Sequence, residues 1–181
     1  MKKLSRAVHV LALALLFSSI NSQAQSTGTL NISITIKDVV RISGLNDVNF
    51  GEVSKSEVQA DLESDTDFCV YRNNRNSATY SVKANAVEGS FSLRNTNTHS
   101  TVGYNVFFND EPHTNGRVRL NYNIASNAQQ GANYTSVDCT DTGPTANVSV
   151  IIPQDNFQAA PVGTYRGCLL YTSDAADEIV R

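Results

Sequence analysis

Cysteines and histidines are the side chains of this sequence best suited to chemistry, and there are three of each. A structural zinc site needs four thiolate or imidazole ligands close together, and catalysis needs a nucleophile beside a base. Cys69 and Cys139 lie far apart in the chain, and His99 and His113 lie in polar, turn-rich stretches typical of solvated histidines. No Ser/His/Asp or Cys/His arrangement stands out. We therefore predict that the protein is not an enzyme, and we expect no metal site and no cofactor.

Acidic and aromatic residues offer two further candidate sites. Hard cations such as calcium bind carboxylate oxygens, but the acidic run lacks the glycine-centred loop of a known calcium motif, so we expect a solvated loop. A surface of tyrosines could bind a sugar, because each ring has a flat apolar face and a polar tip. Three of the tyrosines share the inward parity of their predicted strands, which favours core packing. The acidic residues are Glu57, Asp61, Glu63, Asp65 and Asp67, and the three inward tyrosines are Tyr80, Tyr104 and Tyr122.

Overall composition narrows the class of protein. The chain has 181 residues, of which 40% are hydrophobic and 17% charged, with a formal net charge of -3. That is too apolar for a disordered chain and too low in charge for a coiled coil. A sequence-independent nucleic-acid binder would need a basic surface, so we expect no nucleic acid among the partners.

The first 24 residues have the pattern of a secretory signal peptide. Lys2, Lys3 and Arg6 precede an apolar run over residues 7–17, and small residues stand at Ser22 and Ala24. This order predicts cleavage before residue 25. The apolar run is about eleven residues, short of the roughly twenty that span a bilayer, so we expect no transmembrane anchor. The mature protein is then exported to an oxidising compartment.

The last fourteen residues, 168–181, differ from the rest of the chain. The first eleven match the translation of a transposase adapter used in sequencing libraries, so we interpret 168–181 as a non-native tail; a natural amphipathic tail is the alternative. Without Cys168, the remaining pair Cys69 and Cys139 is predicted to form a disulfide in an oxidising compartment. Leu169 and Tyr171 alternate well enough to imitate a strand that the native sequence would supply.

Alternation of apolar and polar residues dominates the middle of the chain. Residues 29–43 carry apolar side chains at every second position, with Asp38 as the break. Period two predicts a strand buried on one face. Shorter runs with the same pattern are separated by turn-forming residues, and no window of a dozen residues has helical periodicity. We predict an all-β, antiparallel sandwich with one domain over residues 25–167. The shorter runs are 69–71, 79–84, 91–93, 104–108, 118–122 and 148–152.

Three motifs that follow the alternating segment in the sequence resemble those of the spore coat protein U family, the domain of archaic chaperone–usher pilus subunits. The Pro-x-Gly-Thr-Tyr element is the most specific of them, and Asn-Phe-Gly alone would be weak. In order, the motifs are Asn49-Phe50-Gly51, Phe68-Cys69-Val70-Tyr71 and Pro161-Val162-Gly163-Thr164-Tyr165.

The resemblance implies an immunoglobulin-like sandwich that lacks one strand and is completed by a neighbour. In this chain we expect the family's terminal strand, which follows the Pro-x-Gly-Thr-Tyr element, to be missing as well. A periplasmic chaperone first fills the open edge, and the N-terminal extension of the next subunit replaces it at an outer-membrane usher. The family therefore implies passage through the periplasm to a surface fibre, with roles in cell adhesion and biofilm. The spacing of Leu30, Ile32, Ile34 and Ile36 suits a donor strand over residues 29–36, and an ordinary first strand of the same domain is the other interpretation. The segment through Ile42 has room for both, with a break near Lys37-Asp38.

Two departures from the family pattern leave the subunit's position open. The family pattern ends at Gly167, where the family's terminal strand would continue, and the chain has no cysteine just after the donor segment. A single domain favours a shaft or minor subunit over a tip adhesin. The alternative function is a monomeric periplasmic or extracellular binding module with a closed sandwich, for a carbohydrate or a surface receptor.

Overall fold

The computed structural model describes residues 29–76 and 79–175. The predicted signal peptide, residues 1–24, lies outside these ranges. The chain divides into two compact units, residues 1–35 and 36–181. In the first unit, the described residues 29–35 form no helix or strand. No helix in the described ranges combines the length and apolar character needed to cross a bilayer.

The second unit is an antiparallel β structure, as the alternation predicted. Ten strands and one short helix follow one another along the described chain, and each strand–strand pair is antiparallel. They are β1 (Val40–Ser43), β2 (Leu62–Arg72), β3 (Tyr80–Ala86), β4 (Ser92–Asn95), β5 (Thr101–Gly103), β6 (Asn105–Asn109), β7 (Val118–Leu120), β8 (Ala146–Ile152), α1 (Gln154–Ala159), β9 (Tyr165–Arg166) and β10 (Leu169–Ala175).

The strands form three sheets that share one apolar core. The largest has the order β1-β2-β8-β6-β7, and the smaller sheets are β10-β3 and β5-β4-β9. β3 alternates buried and half-buried residues along its length, so one face enters the core. Tyr80 and Tyr104 are buried there, as their parity predicted. Phe108 contacts both Phe68 and Tyr80 with its ring, which joins β2, β3 and β6 in the core.

One prediction of local structure is met in part, and one is wrong. Within residues 29–43 a strand forms only at Val40–Ser43, after the break at Lys37-Asp38, because a strand needs a hydrogen-bonding neighbour as well as an alternating pattern. The acidic run was expected in a loop, but Glu63, Asp65 and Asp67 lie on β2. They stand at every second position on the face of β2 opposite Phe68, so the same alternation that buries one face exposes them to polar partners.

The segment interpreted as a non-native tail supplies β10. It pairs with β3 over seven residues, from Leu169 opposite Ala86 to Ala175 opposite Tyr80. Leu169 and Tyr171 pack against the core while Leu170 is exposed, as their alternation indicated. Residues 169–175 therefore form a strand beside β3, as the alternation of Leu169 and Tyr171 indicated.

Candidate interaction site

The residues predicted as a donor strand are exposed. Leu30, Ile32, Ile34 and Ile36 are 81–87% exposed, and the polar residues between them are exposed as well. Aliphatic side chains with this spacing would be shielded from water if the segment added to the edge of a sheet, because alternate residues of a strand face the same side. Four consecutive apolar positions of one parity are thus available for a partner.

Several strands of the second unit pair on one side only in the described ranges, including β5, β7 and β9, and two such edges lie next to each other. β1 pairs only with β2, and β10 pairs only with β3. The two strands are neighbours in space but do not pair with each other. Val40 and Ile42 of β1, and Leu169 and Tyr171 of β10, pack against the core from its margin. Unpaired backbone groups beside half-buried apolar side chains form an edge to which another strand can add.

A set of hydrogen bonds, which we call the Asp38 anchor, holds residues 37–39 against residues 72–74. Arg72 Nη2 donates to Asp38 Oδ2 at 2.6 Å, and Arg72 Nε donates to both carboxylate oxygens at 3.2 Å. Asn74 Nδ2 donates to Asp38 Oδ2 at 3.2 Å. Asn73 accepts from the backbone N–H of Val39 and donates from Nδ2 to the carbonyl of Lys37, both at 2.8 Å. The anchor fixes the chain immediately after the apolar positions 30–36.

The electrostatics of the anchor favour the ionised carboxylate. The Arg72 side chain is 5% exposed and that of Asp38 is 33% exposed. Hydrogen bonding from Arg72 lowers the pKa of Asp38, and this outweighs the opposing effect of burial. A guanidinium buried to this degree is stable only with a partner that compensates its lost hydration. Asp38, the residue that interrupts the apolar alternation, is that partner.

The Asn49-Phe50-Gly51 motif forms a tight turn ahead of β2. The Asn49 side-chain oxygen accepts a hydrogen bond from the Gly51 N–H at 2.8 Å, which closes the turn. Gly51 has a φ of 70°, a conformation that glycine adopts without strain. Phe50 is half-buried against the core. The structure therefore gives this motif a packing and turn role.

The Phe68-Cys69-Val70-Tyr71 motif lies in β2. Phe68 and Val70 are buried in the core, and Tyr71 pairs with Arg41 of β1. Cys69 forms a disulfide with Cys139, which confirms the predicted pair, and Cys168 is free and exposed. The disulfide ties β2 to the turn that precedes β8.

The Pro-x-Gly-Thr-Tyr motif packs against a turn that follows β4. A Cβ added at Gly163 would overlap Nδ2 of Asn95, and Gly163 has a φ of 153°. The carbonyl of Thr164 accepts from the Thr96 N–H at 3.1 Å, and the Tyr165 hydroxyl donates to the carbonyl of Pro161 at 2.9 Å. Glycine is required here because the Asn95 side chain takes the space of a Cβ.

The acidic face of β2 is paired within the fold. Arg117 forms an ion pair with Glu63. Asn147 Nδ2 donates to Asp65 and Asp67, each at 2.7 Å, and the His113 N–H donates to Asp67 at 2.8 Å. No group of three or more His, Cys, Asp or Glu in the described ranges is arranged to hold a metal ion. The carboxylates instead fix the loop before β7 to the outer face of the large sheet.

Sequence reasoning missed Arg72 and Asn95, the two polar residues on which these arrangements depend. Arg72 is 4% exposed and Asn95 is 1% exposed. Asp38 gave an indirect signal for Arg72, because it alone breaks the alternating parity of residues 30–42. For Asn95 the signal was the glycine of the Pro-x-Gly-Thr-Tyr motif, whose missing side chain implies a close neighbour.

Comparison with known proteins finds similarity to solved structures but not to known sequences. No protein-family profile and no curated protein sequence matches the chain. The spore coat protein U resemblance therefore rests on its motif residues. A chain of the solved chaperone–tip adhesin complex of CFA/I fimbriae biogenesis aligns over 77% of this chain with a TM-score of 0.49 and 13% identity. This protein spans 42% of the length of that chain.

Proposed function

We propose that this protein is a structural subunit of a surface pilus, assembled by strand exchange between successive copies. Residues 29–36 form the donor strand of one subunit, and the edge between β1 and β10 of the next subunit receives it. Two observations in the same chain carry the proposal: aliphatic residues 30, 32, 34 and 36 are exposed, and β1 and β10 each have an unpaired edge at the margin of the core.

The free energy of burying the aliphatic side chains favours addition of residues 29–36 to this edge as a strand. Burying four aliphatic side chains contributes about 1.5–3 kcal/mol each, so about 6–12 kcal/mol in all before the cost of association. Backbone hydrogen bonds along the edge add to this and fix the register. The Asp38 anchor holds the C-terminal end of the donor strand to its own domain. A donor strand bound to a neighbouring subunit therefore stays firmly joined to the subunit that provides it.

The proposal includes the domain layout and route that the sequence favours. Residues 1–24 direct export, residues 25–167 form the pilin domain, and residues 168–181 are a non-native tail that occupies the place of the native last strand. A periplasmic chaperone protects the open edge in transit, and an outer-membrane usher joins the subunits into an extracellular fibre. Re-sequencing the locus tests the tail: an uninterrupted native reading frame through Cys168 would contradict that assignment.

Substitution within the donor segment tests the proposed function. The double variant Ile32→Asp/Ile34→Asp places charges on the parity that would be buried, and the matched variant Ser33→Asp/Thr35→Asp places the same charges on the other parity. We expect the first variant to abolish polymers measured by light scattering and the second to retain them. Polymers that persist with Ile32→Asp/Ile34→Asp would refute the donor assignment, and a wild-type protein that forms no polymers would favour the monomeric binding module.

A further inference from the structure

An open cavity of about 310 Å³ lies where β4 and β9 meet the turn after β4. Arg94, Asn95 and Arg166 line it from the two strands, Thr96 and His99 from the turn, and Glu88 from the segment between β3 and β4. None of these residues belongs to β1 or β10. The cavity is thus separate in sequence and in sheet from the edges to which the proposed function assigns strand exchange.

Two arginines face the same side of this small sheet, and neither forms an ion pair in the described ranges. Arg94 and Arg166 are direct partners in the β4–β9 pair, and both are exposed. Like charges directly opposite each other on a sheet are destabilising. Within residues 29–76 and 79–175, neither guanidinium forms an ion pair or a side-chain hydrogen bond. Their ten N–H groups, five on each guanidinium, are therefore available to a ligand.

Asn95 fixes the turn that lines the cavity. Its Oδ1 accepts from the backbone N–H groups of Asn97 and Thr98 at 2.9 and 3.0 Å. Its Nδ2 is buried and has no hydrogen-bond partner. The His99 N–H donates to the Asn95 carbonyl at 3.1 Å, and His99 has a φ of 61°. The turn that carries Thr96 and His99 is thus held by hydrogen bonds before any ligand binds, which lowers the entropy cost of binding.

Glu88 limits the positive charge of the lining. With His99 neutral, the formal charge of the six residues is 2 − 1 = +1, from the two arginines and the one glutamate. Glu88 makes no ion pair with either arginine within 4 Å in the described ranges. Its carboxylate lines the same cavity as the two guanidinium groups. It would repel an anion that the arginines attract.

We propose that this cavity, the Arg94–Arg166 pocket, binds an oxyanion: a carboxylate or phosphate group on a small ligand. Guanidinium groups match the planar geometry of both groups with paired N–H donors. The volume is at the small end of ligand sites, which suits a single charged group or one sugar ring that carries it. The pocket gives the subunit a recognition surface beyond its proposed structural role.

Titration of the full-length protein with inorganic phosphate and with glucuronate tests the proposal, with glucose as the neutral control. We expect at least one of the two anions to bind and glucose not to bind, as followed by calorimetry or by amide chemical shifts of residues 94–99. Phosphate binding alone identifies a phosphate-bearing ligand, and glucuronate binding alone identifies a carboxylate on a sugar. Failure of both anions to bind would overturn the proposal and leave the strand-exchange function untouched.

Charge variants separate a site from general attraction. Arg94→Gln and Arg166→Gln should each weaken binding about tenfold, because each removes a charged hydrogen-bond donor. Glu88→Gln should tighten binding about two- to fivefold by removing the repelling charge. Arg119→Gln, which removes an exposed arginine on β7, is the matched control and should leave the affinity unchanged. Equal weakening by Arg119→Gln, or no effect of the two pocket variants, would contradict a site at this position.

Discussion

Removing the carboxylate of Asp38 tests the anchor at the root of the donor segment. In Asp38→Ala the Arg72 guanidinium keeps its 5% side-chain exposure but loses three hydrogen bonds to the carboxylate. Leaving one member of a buried ion pair unpaired costs about 3–5 kcal/mol. Asp38 is one-third exposed, and Arg72 also donates to the Thr79 carbonyl. The expected loss in the free energy of unfolding is therefore smaller, about 2–3 kcal/mol.

Urea denaturation of the wild type and the variant measures this loss directly. Asp47→Ala is the matched control, because Asp47 is exposed and lies outside the anchor, and it should change stability by less than about 0.5 kcal/mol. Arg72→Met removes the charge and keeps the apolar stem, so the double variant Asp38→Ala/Arg72→Met should lose less stability than the two single losses added together. Additive losses would refute the claim that the two residues act as a pair.

The same pair gives a dependence on pH with a definite sign. The pKa of Asp38 is lowered in the folded protein, chiefly by Arg72, while the unfolded value is about 3.9. Its contribution to stability is therefore fully present above about pH 4 and is lost as the pH falls through the folded value. The difference in stability between wild type and Asp38→Ala should hold from pH 7 to pH 5 and shrink below pH 4. A difference that grows on acidification would contradict the assignment.

Three further predictions follow from the core and the motifs. The variant Cys69→Ala/Cys139→Ala should lose about 4 kcal/mol of unfolding free energy, because the disulfide closes a loop with a sequence separation of 70 residues; a loss below about 1 kcal/mol in urea denaturation would contradict this. Gly163→Ala should cost more than Gly89→Ala in the same assay, because both have positive φ but only position 163 also meets a neighbouring side chain; equal costs would refute the role given to Asn95. Burial raises the pKa of Tyr104 to about 12, so the contribution of its neutral hydroxyl to the free energy of unfolding is complete below pH 10 and declines above it. Relative to Tyr104→Phe, the wild type should lose about 1.4 kcal/mol of unfolding free energy between pH 9 and pH 11. A difference between the two proteins that does not change with pH would contradict the burial effect.

The sequence predicted those parts of the fold that depend on local alternation. Tyr80 was placed inward from period two alone, and it is fully buried. The disulfide followed from the cysteine count, the exported compartment and the exclusion of Cys168. Each of these inferences uses information that lies within a few residues or within the composition.

Features that depend on distant partners were not predictable in the same way. Residues 29–39 have the same alternation as β1 but form no strand, since pairing and not pattern decides which residues become a strand. α1 has six residues, too few for a helical period to be recognised. Arg72 and Asp38 are 34 positions apart, so nothing near Arg72 in the sequence indicates that it is buried.

Amide hydrogen exchange along residues 29–43 tests the central claim most directly. In the Ile32→Asp/Ile34→Asp variant, which we expect to remain monomeric, the amides of residues 29–36 should exchange at the rate of an unstructured chain. In polymers of the wild-type protein these amides and those of β1 should become protected together, because a donor strand would hydrogen-bond to the open edge. Polymers in which residues 29–36 still exchange freely would contradict assembly by strand exchange.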